Sequence, residues 1–169
     1  SDPSRLPEAV TMALAKACLA TGNQQAAQEI LKNLVQENPE SKDLHARISA
    51  VLRDNGAPEL ADQLVKESIR EIIQLNNEAV RRAKAGELAI AAEMLCAAAH
   101  RLPGNLQVVA NAATALLFDI FRNGLDAAKL RTAQTFQQNV EAQCPDHPKL
   151  AEMAELMKRI HTRYAQAPK

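Results

Sequence analysis

The sequence predicts an all-α chain built from stacked helical hairpins, and three observations carry that prediction. Hydrophobic residues fill 47% of the 169 positions, yet aromatics account for only 2% and tryptophan is absent. The apolar content is therefore mostly Ala and Leu, the best helix formers, and small side chains let neighbouring helices approach closely. Apolar residues recur at helical spacing in one segment after another. The five glycines, Gly22, Gly56, Gly86, Gly104 and Gly124, fall where those segments stop. Gly22 and Gly56 are 34 residues apart, and a fixed period of that size signals stacked supersecondary units rather than one globule.

In chain order, Pro7 to Thr21 carries Val10, Leu14, Ala17 and Cys18 at helical spacing and stops at Gly22-Asn23. A second helix places Ala27, Leu31 and Leu34 on one face and ends before Pro39, because the residue preceding a proline is pushed out of helical geometry. Ser41 suits the N-cap of the next helix, whose stripe is Leu44, Ile48, Val51 and Leu52 and whose break is Asn55-Gly56. Pro58 fits the first turn of the helix that follows. From there to Ala85 there is neither proline nor glycine, and Gly56 to Gly86 spans 30 residues, four short of the period. Four residues is about one helical turn, so the loop between units is expected to be absorbed and 58–85 to run as one helix. A tight turn near 74–77 is the alternative. An uninterrupted helix here would bend an array or lend itself to exchange between two chains.

After Gly86 a helix bears Ala91, Leu95 and Ala98 on one face and closes at Pro103-Gly104-Asn105. The next, Leu106 to about Arg122, carries Val109, Ala112, Ala113, Leu116, Ile120 and Phe121 and stops at Asn123-Gly124. Asp126 opens a helix through Ala133, Phe136 and Val140, closed by Cys144-Pro145. Pro148 starts a last helix with Leu150, Met153, Met157, Ile160 and Tyr164 on one stripe, the one-sided pattern of a capping element. The expected organisation is one continuous repeat domain: 1–57 for the first repeat and the first helix of the second, 58–85 for a long helix shared by repeats 2 and 3, 86–147 for repeats 3 and 4, and 148–169 for the cap.

Twenty basic and twenty acidic residues cancel, which argues against nucleic acid or an anionic membrane as the main partner, since both demand a basic surplus. No run of 18 apolar residues occurs and the N-terminus lacks a tripartite leader pattern, so the expectation is a soluble, cytoplasmic chain. Residue 1 is Ser, which fits a processed chain or a piece of a longer one. Cys18, Cys96 and Cys144 are odd in number and widely spaced, the usage of a reducing compartment rather than of a disulfide framework. Cys144 and His147 are bracketed by Pro145 and Pro148 with no second ligand pair nearby, so no metal site is expected. His45 and His161 lie among charged residues and read as surface. There is no phosphate loop, no G-x-S-x-G nucleophile motif and no dinucleotide fingerprint. The expectation is a chain without catalytic residues or cofactor.

The spacing of small, large and small residues before a proline is met by Ala91, Leu95, Ala98 and Pro103 and, with an apolar substitution, by Ala27, Leu31, Leu34 and Pro39. A glycine precedes each first alanine by five residues. This pattern resembles the tetratricopeptide repeat over essentially residues 7–145. The resemblance implies a right-handed superhelix of antiparallel helix pairs, about nine helices with the cap. Repeats 1 and 3 match well and 2 and 4 are degenerate, the second with Ser68 at a small-residue position; within repeat 3, Arg82 stands where the family has an aromatic. More weakly, the run from Leu75 to Leu95, the lengthened fourth unit and the CPDHPKL approach to the last helix are similar to the repeat region that follows a receiver domain in some bacterial response regulators. No receiver pattern is present in this sequence.

The resemblance further implies a protein or peptide ligand in the concave groove lined by the first helix of each unit. An asparagine early in that helix often bonds the ligand backbone in the family, and Asn77 and Asn111 fall at that place, 34 residues apart. Val80 and Lys84, then Thr114 and Phe118, follow on the same faces, and Arg47 takes the matching place in the second unit, suited to an acidic ligand. The simpler reading of the two asparagines is that they satisfy hydrogen bonds between helices. The family's carboxylate-clamping set is not reproduced, because Met12 and Lys16 stand where a lysine and an asparagine are needed. The expected function is a non-catalytic interaction scaffold, with the output region of a two-component response regulator as its narrower form. A homodimerisation module acting through the long helix or the last helix is the alternative, ahead of an enzyme or a nucleic-acid-binding repeat. Replacing Asn77 and Asn111 by alanine is expected to abolish partner binding with melting intact.

Overall fold

The computed structural model describes residues 7–165. Among them are α1 (Glu8–Ala20), α2 (Gln24–Glu37), α3 (Lys42–Asp54), α4 (Glu59–Lys84), α5 (Leu88–Arg101), α6 (Leu106–Asn123), α7 (Ala127–Gln143) and α8 (Lys149–Ala165), and no strand. Eight helices therefore stand among the described residues, against the nine or so expected. No turn interrupts α4, which runs for 26 residues. Asparagine inside a helix usually competes for nearby backbone groups, but the side chain of Asn76 is engaged by Asn77 and by Asn111 of α6 instead. No helix of the described residues is long and apolar enough to cross a membrane.

Side-chain caps start several of these helices. Asn23, Ser41 and Asn105 accept from the backbone N–H three residues on, while Asp126 accepts from both Ala128 and Lys129. The backbone N–H of Lys129 holds the Asp126 carboxyl below its usual range. At the far end of α4, Gly86 adopts φ 92° while the following N–H of Glu87 reaches back to the carbonyl of Arg82 at 3.0 Å. That closure needs a residue in the left-handed region, where only glycine sits without strain.

The chain packs as two compact units that divide between Glu71 and Ile72, inside α4. In the first, α2 packs against α1 and α3, and Met12, Ala15, Leu31, Val35, Leu44, Ile48, Leu52 and Leu64 lie in one core. The face of α1 differs from the expected one. Val10 and Leu14 are 48% and 47% exposed and Ala17 is exposed too, whereas Met12 and Ala15 are buried and Leu19 packs on the core. The run EAVTMALAKACLA is apolar on most sides, so its periodicity does not select a face. Ala15 and Ala27, both fully buried, are small enough for α1 and α2 to approach closely. His45 is also not a surface residue. It is half-buried, its Nε2 has no hydrogen-bond partner, and burial pulls its pKa below the ordinary value, with the Asp62 carboxylate opposing.

In the second unit α6 is the central helix, packed against α5, α7 and α8. Every residue from Val108 to Leu117 is buried, the all-round pattern of an interior helix, and Ala110, Ala112 and Ala113 are fully inaccessible. Ala91, Leu95 and Ala98 of α5 are likewise buried. From α8, Met153, Leu156 and Ile160 are buried, Tyr164 donates to the Ile120 carbonyl and Arg163 to that of Phe121, and the Arg159 guanidinium lies 4.5 Å from the Phe121 ring centre. The α8 stripe is thus occupied within its own unit, which removes it as a free self-association surface.

Candidate functional site

The second half of α4 and the middle of α6 set the site. On α6, Asn111, Thr114, Ala115, Phe118 and Arg122 follow at spacings of three and four and so share one face. On α4, Val80, Ala83 and Lys84 do the same. With Gly86, Leu88 and Leu95 behind them and Lys149 and Glu152 at the start of α8, these residues line a single cavity of about 340 Å³. Its surface is mainly apolar, from Val80, Leu88, Leu95, Ala115 and Phe118. Charge comes from Lys84, Arg122, Lys149 and Glu152.

Of the residues singled out in the sequence, Val80, Lys84, Asn111, Thr114 and Phe118 line this cavity. Asn77 is exposed and is not among its walls. Arg47 belongs to the first unit, where its guanidinium lies 3.0 Å from Asp43 and also pairs with Glu8 of α1. Sequence reasoning does not single out Arg122, Ala115 and Ala83, although Arg122 continues the α6 stripe by one turn and the two alanines lie within the stripes. Leu88, Lys149 and Glu152 carry no signal in the sequence, because only tertiary packing brings α5 and α8 to the cavity.

The polar groups of the floor are engaged already. The Asn111 amide donates to Oδ1 of Asn76 at 3.0 Å, Asn76 donates to Oδ1 of Asn77 at 3.1 Å, and Gln107 donates to Oδ1 of Asn111 at 3.0 Å. Thr114 donates to the Ala110 carbonyl at 2.8 Å. Asn76, buried and unremarked in the sequence, is therefore the residue that ties α4 to α6, and the two expected ligand donors are joined through it. This corrects the expectation that removing both asparagines leaves melting intact. Asn111→Ala should cost about 1–2 kcal/mol, because it strands the buried Asn76 oxygen, while Asn77→Ala, which removes only the part-buried acceptor of the Asn76 amide, should cost less than that. Thermal melts of the two variants check this; equal losses would place Asn111 outside the interior network.

The cations divide by partner. Arg82 pairs with Glu78 at 3.1 Å and Glu87 at 2.9 Å, and Arg81 pairs with Glu78. Arg82 thereby has its charge answered by two acids at the surface. Lys84 and Arg122 form no ion pair among the described residues, and Lys149 reaches Glu152 only at 3.7 Å. Among the described residues no group of three or more His, Cys, Asp and Glu could hold a metal ion. Cys96 on α5 is half-buried, and burial pushes its thiol up to about 11, which disfavours the nucleophilic thiolate. What the cavity can do chemically is exclude water from an apolar group and meet charge at its edge.

No protein-family model, curated protein or solved structure matches the chain.

Proposed function

We propose that the chain is a non-catalytic interaction scaffold that holds a peptide segment of a partner protein in the cavity of its second unit. One observation carries the reading: the faces of α4 and α6, the first helices of two successive hairpins, meet over a mainly apolar cavity of about 340 Å³, a size at the lower end of ligand pockets and suited to one or two side chains. The repeat-like register of Ala91, Leu95, Ala98 and Pro103 supports a tetratricopeptide-type array, in which first helices line the binding groove. The run from Leu75 to Leu95 supports the narrower placement in the output region of a response regulator, and a receiver domain encoded upstream of Ser1 would be its test.

Selection of random decapeptides displayed on phage tests the site directly. Wild-type protein should enrich peptides sharing an apolar anchor residue, and those peptides should lose binding to Val80→Trp, which fills the cavity from a half-buried position. Peptides that bind the blocked variant equally would move the site elsewhere, and a selection without enrichment would contradict peptide binding.

A further inference from the structure

We infer that this cavity selects an acidic segment, in which one apolar side chain enters the floor and carboxylates on either side of it meet Lys84, Arg122 and Lys149. The inference rests on the peptide-binding reading above and adds the chemical class of the ligand. The chain as a whole has no net charge, yet the walls carry three cations against the single carboxylate of Glu152. Three other cations of the unit are answered by acids, Arg81 and Arg82 by Glu78 and Lys129 by Asp119. Lys84 and Arg122 have no such partner among the described residues.

Helix polarity accounts for part of this arrangement. Lys84 ends α4 and Arg122 lies in the last turn of α6, where a cation complements the dipole. Lys149 is different. It is the first residue of α8, where the dipole disfavours a positive charge, and its only acidic contact among the described residues is the loose one to Glu152. The dipole also does not explain why all three ends converge on one apolar floor. A carboxylate entering beside that floor leaves bulk water and gains charge-assisted hydrogen bonds from groups already in place. Three cations on three separate helices suit more than one carboxylate, hence a segment running across the cavity rather than a chain end entering it. The apolar floor of Val80, Leu88, Leu95 and Phe118 would gain nothing from a phosphate backbone, so a protein segment is favoured over nucleic acid.

The test uses dye-labelled decapeptides carrying one leucine flanked by Glu, by Gln or by Lys, with labelled oligo-dT as a fourth probe, titrated against the full chain by fluorescence anisotropy. The Glu-flanked peptide should bind tightest and weaken as salt rises. Lys84→Gln/Arg122→Gln, two exposed positions, should weaken it by about tenfold or more, a larger loss than for the Gln-flanked peptide. The exposed Arg131→Gln on α7 should have no effect. Equal binding of Glu- and Gln-flanked peptides, equal loss from Arg131→Gln, or oligo-dT binding as tightly as the Glu-flanked peptide would overturn the charge assignment while peptide binding stands. Failure of every peptide to bind wild-type protein would overturn both.

Discussion

Leu117→Ala should destabilise the second unit by about 3 kcal/mol and lower its melting temperature by more than about 10 °C. Leu117 is fully inaccessible and sits on α6, the helix against which α5, α7 and α8 all pack. Truncation there removes the transfer free energy of the side chain and opens a void on a helix whose neighbours cannot all collapse into it. Leu125, two residues before the start of α7 and 51% exposed, supplies the control: Leu125→Ala should change stability by less than about 0.5 kcal/mol. Thermal denaturation followed by circular dichroism compares the two. Similar losses would mean that α6 does not form the interior of this unit.

Lys129→Met should cost about 2–3 kcal/mol, somewhat less than the roughly 3–5 kcal/mol of breaking a fully buried ion pair, because Lys129 is itself partly open to water. The Asp119 carboxylate is only 2% exposed. One oxygen accepts from the Lys129 ammonium at 2.7 Å and the other from the Asn123 amide at 2.7 Å. Methionine keeps the apolar stem of the lysine and removes the charge, so the carboxylate stays buried with half of its partners. The double variant Asp119→Leu/Lys129→Met removes the stranded charge and should recover most of the loss. Chemical denaturation of the four proteins in this cycle measures the coupling; additive losses would show that the pair contributes nothing specific to the α6–α7 contact.

The helical segments were readable because glycine, proline and capping residues bound them on both sides. Ser41, Pro58 and Asp126 act as local signals, and local signals survive tertiary packing. The face of α1 was not readable, since alanine, valine and leucine surround that helix and only its fit to α2 chooses Met12 and Ala15 over Val10 and Leu14. The state of His45 was missed for a related reason: charged neighbours in sequence say little about a residue that packs beside Ile48 and Ala61 in a small cavity. At the site, helical periodicity sufficed for Val80, Lys84, Thr114 and Phe118, which lie on single helix faces. Periodicity also contained Arg122, one turn beyond Phe118. It could not supply Lys149, whose place at the cavity depends on how α8 lies on α6. The 34-residue coincidence of Asn77 and Asn111 falls on two helices that are bonded to each other, but not through Asn77. The contact is made by Asn76, one residue earlier, and it is a contact between helices.

The central claim, that the second unit holds a peptide in the cavity between its α4 and α6 faces, is tested most directly by amide chemical-shift mapping on the full chain with the Leu-anchored, Glu-flanked decapeptide as probe. The account predicts saturable shifts concentrated at Val80, Lys84, Leu88, Thr114, Phe118 and Arg122, with the amides around Ile48 and Leu52 in the first unit unmoved. Shifts centred on Arg47 or on the exposed Val10 and Leu14 of α1, with the cavity residues silent, would contradict it.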